Sequence, residues 1–182
     1  MVVSGAAFAA PKKAANLPDE LEDVTLMNVA KVEVVNEYKM RNEAPYVDPQ
    51  FPTPLTDSIT EWAKNSFVAT GEDGVLKIII REASLQQSHY DDKPRFFGLF
   101  PGKRMDKYLA TAMVEMKLYN GEAAMPVAET EATATREGRI EAVAGVGYRE
   151  ELFNSMTDEL IDDLDQQTRA LTYKFFHERV KD

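Results

Sequence analysis

From Tyr148 to Val180 the chain keeps a helical period longer than anywhere else. Phe153, Met156, Leu160, Leu164, Leu171 and Phe175 recur at steps of three, four or seven, which sets them on one face of a 3.6-residue helix. Leu152, Ile161 and Phe176 widen that stripe, so the helix is expected to cover a sheet. Acids early (Glu150, Glu151, Asp158, Glu159) and bases late (Lys174, Arg179, Lys181) suit its dipole.

Upstream, Val32 and Val34 alternate with Lys31 and Glu33, and the pattern predicts a first strand within Leu26 to Tyr38. Four prolines (Pro45, Pro49, Pro52, Pro54) make Met40 to Pro54 an extended surface segment. Thr53 as cap and Pro54 at the first position then open a helix whose core face is Leu55, Ile59, Trp62, Ala63 and Phe67, closed by Gly71. Val75 to Leu85 is rich in β-branched residues, with Leu76, Ile78 and Ile80 on one face and Val75 and Ile79 on the other, as in a central strand.

Gln87 to Arg104 reads as a loop. Tyr108 to Tyr119 alternates strictly as a long strand, and Asn120-Gly121 is a hairpin signal because a type I′ turn needs positive φ at both central positions. Glu122 to Arg136 is expected to return as its partner, at an edge because of Pro126. Gly138, Gly145 and Gly147 are expected to loosen the link to the closing helix. The order β-α-β-β-β-α predicts an α+β fold, a mostly antiparallel sheet of about four strands with two helices packed on one face. The domain is expected to span 24–182, after a flexible N-terminus at 1–23.

Composition narrows the function. At 182 residues one core suffices, and 31 acidic against 21 basic side chains give a net charge of -10. No basic block stands out, so neither nucleic acid nor a polybasic membrane anchor is expected. The chain has no cysteine, which removes disulfides, thiol nucleophiles and Cys-type zinc sites. Ala7-Phe8-Ala9 is the A-x-A pattern cut by signal peptidase, so the segment reads as the tail of an export signal and predicts a periplasmic protein starting near Ala10.

Chemistry-bearing groups are sparse. His89 beside Asp91 and Asp92 is a weak metal trio, and His177 lies far away at the end of the closing helix. Asp158, Asp162 and Asp165 read as a solvated stripe, with Asp165 and Arg169 forming an exposed pair. There is no P-loop, GxGxxG, GxSxG or HExxH. No enzymatic activity, metal or cofactor is expected. The unusual feature is the loop, where Phe96, Phe97, Leu99 and Phe100 are flanked by Lys93, Arg95, Lys103 and Arg104 in an otherwise acidic chain. Either the rings dock on a partner or a lipid interface, or they fold back on the core.

Lys31-Val32-Glu33-Val34-Val35-Asn36-Glu37-Tyr38, Phe51-Pro52, Trp62-Ala63, Ile80-Arg81-Glu82-Ala83-Ser84 and Met156 through Asp165 (MTDELIDDLD) resemble a group of small envelope lipoproteins and exported proteins of alphaproteobacteria. More distantly, the element order resembles the auxiliary lipoproteins of lipid-transporting ABC systems and the lipopolysaccharide-assembly lipoprotein. The resemblance implies a non-catalytic accessory protein linked to outer-membrane or lipid-transport assembly, with an envelope protein or lipid as partner. The partner-binding candidates are Arg95, Phe96, Phe97, Leu99, Phe100, Lys103 and Arg104. The alternative is a carrier of an apolar ligand held between helix and sheet and lined by Trp62, Tyr108 and Met116.

Overall fold

Alternation on the strands and a four-residue step on the closing helix meet on one side of a single sheet. The computed structural model describes residues 24–92, 102–121 and 123–181. In chain order the elements are β1 (Thr25–Met27), β2 (Lys31–Asn36), α1 (Leu55–Ser66), β3 (Phe67–Ala69), β4 (Val75–Asp92), β5 (Lys103–Tyr119), β6 (Ala128–Glu141) and α2 (Val146–Phe175). The main sheet has the order β2-β4-β5-β6; β2 runs parallel to β4 and the other pairs are antiparallel. A two-stranded parallel sheet, β1-β3, stands beside it. The α+β expectation holds, with α2 over β5 and β6 and α1 over β2 and β4.

The core lies between these layers. Leu76, Ile78, Ile80 and Leu85 of β4, Ala110, Ala112, Val114 and Met116 of β5, and Ala132 and Ala134 of β6 are buried beneath Phe153, Met156, Leu160 and Leu164. Small residues on β5 and β6 let α2 approach. Gly138 is part of that contact rather than a loosened link: a Cβ there would overlap Met156 Sδ and sit 3.1 Å from Leu152 Cδ1.

Along α2 the buried line is Met156, Leu160, Leu164, Thr168, Thr172 and Phe176, a step of four throughout. Each step advances about 400°, so the stripe winds around the helix as α2 follows the twisted sheet. The expected Phe175 is therefore 45% exposed, and Thr168 takes a core place by donating its hydroxyl to Leu164 O at 2.7 Å. Leu160→Ala or Leu164→Ala is expected to cost about 2 to 5 kcal/mol, since each leaves a cavity at a fully buried site. Asp163→Ala, which removes a half-exposed ion pair with Arg136, is expected to cost about 1 kcal/mol or less. Equal small losses in urea melts of all three would mean that α2 does not pack by this face.

Several boundaries differ from the sequence pattern. The first strand is split at Asn28, where Val29 N–H turns back to Met27 O at 2.8 Å. The cap of α1 is Pro54 itself, with no side-chain bond from Thr53, and the helix stops at Ser66 because Phe67–Ala69 pair with β1. Gly71 is thus no helix cap; it packs against the Asn28 backbone. Asn120-Gly121 does turn the chain, with Gly121 at φ 52, but β6 begins only at Ala128, so Ala123 to Val127 belong to the connection rather than to the returning strand. Residues 87–92 and 103–104 are strand rather than loop.

The extended segment after β2 finishes the edge of β4. Glu37 N–H donates to Ile80 O at 3.1 Å, Val47 N–H to Leu85 O at 2.8 Å and Gln87 N–H to Pro45 O at 2.8 Å. Its anchor is Asp48, 3% exposed.

Candidate partner-binding end of the sheet

In β4 and β5, side chains facing the helices alternate with those facing away, and this parity continues past the hydrophobic core to the far end of the hairpin. Gln87 pairs with Tyr108, His89 with Asp106 and Asp91 with Arg104, all on the helix-side parity. The apolar pattern gives way here to polar groups, which must find partners.

They do so around Asp106, a carboxylate 3% exposed. His89 Nδ1 lies 2.7 Å from Asp106 Oδ1, and because an ionised carboxylate only accepts, Nδ1 carries the proton. Arg149, in the first turns of α2, places Nη1 3.0 Å from Asp106 Oδ2 and donates to Tyr108 OH, while its Nη2 donates to Ala142 O at 2.8 Å. Gln87 Nε2 also donates to Tyr108 OH, at 3.2 Å. Burial alone would raise the Asp106 pKa, but the hydrogen bonds from His89 and Arg149 bring it below the ordinary aspartate value. Burial raises the Tyr108 hydroxyl. Both Asp106 oxygens are committed, so the cluster fixes the start of α2 to the hairpin rather than offering a free base.

Beyond this lock the surface becomes exposed. His89, Tyr90, Asp91 and Arg104 line a shallow depression of about 330 Å³. Lys103 pairs with Glu141, whereas Arg104 makes no ion pair among the described residues. The turn from β6 to α2 closes on the same end, with Ala142 N–H donating to Arg104 O at 2.9 Å.

Of the expected docking residues, Lys103 and Arg104 stand at this end, on β5. Arg95, Phe96, Phe97, Leu99 and Phe100 lie outside the described residues, as does Ala7-Phe8-Ala9. The His89, Asp91 and Asp92 trio is not a metal cluster: these residues form strand, His89 is engaged by Asp106, and the described residues contain no group of three metal-ligating side chains.

Trp62, Tyr108 and Met116 are not brought together. Tyr108 and Met116 are fully buried and stand about 27 Å apart along β5. Tyr108 meets Phe153 edge-on at 4.9 Å, and the Met116 sulfur faces the Thr172 hydroxyl at 4.0 Å. Trp62 instead borders a cleft of about 580 Å³ between α1 and α2, with Ser66, Ile161, Asp162, Asp165, Gln166 and Arg169. Its Nε1 donates to Asp165 Oδ1 at 3.0 Å, and Asp165 also holds Arg169 at 2.5 Å. That pair is partly buried, not the exposed one expected.

No family model and no curated protein matches this chain. Among solved structures it is similar to a minor lipoprotein from Acinetobacter baumannii, at 11% identity and a TM-score of 0.42, over 86% of this chain and 98% of that one. It is similar also to the rare lipoprotein B from Shewanella oneidensis, at 12% identity and a TM-score of 0.36, over 79% of this chain and 95% of that one.

Proposed function

We propose that this chain is a non-catalytic accessory protein of the cell envelope that binds another envelope component through the far end of its sheet. The observation carrying this reading is the lock at Asp106. β4 and β5 continue beyond the hydrophobic core to Asp92 and Lys103, and the buried carboxylate between His89 and Arg149 stiffens that far end of the hairpin. The stretch joining those strand ends contains Phe96, Phe97, Leu99 and Phe100 with Lys93 and Arg95. Aromatic anchors with a basic rim suit docking, the rings supplying buried area and the cations steering. A rigid base lowers the entropy cost of presenting such a segment.

A periplasmic location rests on Ala7-Phe8-Ala9, and association with the outer membrane or a lipid-transport assembly is the finer form of the proposal. A nucleic-acid partner conflicts with a net charge of -10.

Phe97→Ser combined with Phe100→Ser tests the reading. Expected is loss of the partner captured from envelope extract and identified by mass spectrometry, with a thermal midpoint close to the parent's. Unchanged capture would overturn the proposal. A large fall in the midpoint would place the rings in the core instead.

A further inference from the structure

The cleft between α1 and α2 holds a hydroxyl that the packing leaves without a partner. Ser66, the last residue of α1, lines the cleft and is 8% exposed, yet its Oγ makes no hydrogen bond among the described residues. It opens on the cleft, whereas the unpartnered hydroxyl of Ser84 is sealed within the sheet. A buried polar group destabilises the fold unless something satisfies it, so one aimed into a cleft of about 580 Å³ points to a ligand.

The walls narrow the chemistry of that ligand. Trp62 and Ile161 make an apolar side, but Trp62 is 9% exposed and offers no open face on which a sugar ring could stack. Asp165 is committed through both oxygens, to Trp62 Nε1 and to Arg169, which ties α1 to α2 and sets the width of the cleft. Asp162 is the carboxylate left over, exposed and without an ion pair among the described residues. It borders a second depression too, of about 560 Å³, which follows α2 past Asp158 and Glu151. Those two are likewise exposed and unpaired among the described residues. The basic groups on this surface are already engaged, Arg169 by Asp165 and Arg136 by Glu159 and Asp163. The vacancy is therefore for positive charge. It is not for a metal ion, because the carboxylates stand in a row instead of converging in a group of three.

We propose that the cleft and the adjoining depression bind a linear aliphatic polyamine. Its terminal ammonium enters the cleft and donates to Ser66 Oγ and the Asp162 carboxylate, while the methylenes lie against Ile161. The second ammonium meets Asp158. Asp158 and Asp162 are one turn apart, about 6 Å along the helix axis, a length that three or four methylenes between ammonium groups also span. Glu151, on the same stripe two turns earlier, receives the far end of the chain. This site lies on the helices and does not depend on the docking end of the sheet.

Calorimetric titration of the full chain with spermidine tests the assignment, with Trp62, the single tryptophan, reporting occupancy by its fluorescence. Expected is saturable binding at one site that weakens as salt rises. The uncharged diol of matching length does not bind, and magnesium at equal charge displaces spermidine only weakly. Asp158→Asn with Asp162→Asn weakens binding about tenfold or more, by the charge-assisted bonds it removes. Ser66→Ala weakens it about threefold to tenfold, with a thermal midpoint close to the parent's. Glu129→Gln with Glu131→Gln takes the same charge from exposed positions of β6 and leaves binding unchanged. Because Asp158 and Asp162 are exposed, their variant decides the matter even if Ser66→Ala lowers the midpoint. No spermidine binding by the parent, equal loss in the β6 control, ready displacement by magnesium, or unchanged binding in the aspartate variant overturns the proposal. Binding of a lysine-rich peptide at these residues with spermidine inert would make the occupant a protein, and the polyamine assignment would fall.

Discussion

Replacing Asp48 with alanine is expected to destabilise the protein by about 3 to 5 kcal/mol, because each buried donor left without its acceptor costs about 1 to 3 kcal/mol. Asp48 accepts from Tyr38 OH at 2.5 Å and Arg41 N–H at 2.6 Å through Oδ2, and from Leu85 N–H at 2.7 Å through Oδ1. One carboxylate thereby ties the chain leaving β2 to the middle of β4. Burial and the bond to Asp48 raise the Tyr38 hydroxyl pKa, so that proton stays in place through the physiological range. Arg41 reinforces the link, bonded to Glu82 at 2.6 Å with its guanidinium 4.3 Å from the Tyr46 ring centre. Asp48→Asn keeps one acceptor oxygen and is expected to lose roughly half as much. Urea melts measure both, and a cost below about 1 kcal/mol for the alanine variant would mean water replaces the carboxylate without strain.

Asp48 shows what a linear pattern hides. It lies among prolines, in a stretch whose composition identifies a surface segment, and nothing in its neighbours marks it for burial. The layers themselves were legible. Leu160 and Leu164 lie on the face predicted, and the strict alternation of β5 matches its burial residue by residue. Periodicity is imposed by which side of an element meets the core, so it survives in the sequence. Pairing partners leave no such trace. Phe67–Ala69 continue the apolar face of α1, and only the presence of β1 turns them into a strand.

The polar end of β4 is hidden in the sequence for a related reason. Gln86, Gln87, Ser88 and His89 have weak strand propensity, but β5 supplies a complete ladder, and tertiary pairing outweighs local preference. The Asp106 cluster leaves one signal in the sequence. Asp106 shares strand parity with Tyr108 and Ala110, and a carboxylate on the buried parity requires a partner. Arg149, a cation early in the covering helix, is the group that meets it. Which cation it would be depends on where α2 starts over the sheet, and that is set by Gly138 and the small residues of β6, not by local sequence.

Removing that carboxylate is the second large effect expected. Asp106→Ala leaves Arg149 beside a buried tyrosine without its counter-charge, and breaking one side of a buried pair costs about 3 to 5 kcal/mol. Arg149→Ala leaves the carboxylate to His89 alone and is expected to cost a similar amount, less what solvent recovers at the partly exposed guanidinium. The double variant is expected to lose less than the sum, because each single change strands the other group. The same cluster predicts a pH dependence. The folded pKa of Asp106 lies below its unfolded value, so its stabilisation is complete above the unfolded aspartate pKa of about 3.9 and is lost as pH falls through the folded value. Below about pH 4 the parent is expected to lose more stability than Asp106→Asn, which has no such proton to take up. Parallel urea titrations between pH 3 and about pH 7 decide this. Curves that keep a constant separation would show that Asp106 does not sense the charge of His89 and Arg149. Amide exchange then reports where the loss falls: with the lock gone, protection should drop first in the early turns of α2, which Arg149 holds to Ala142 O and Asp106.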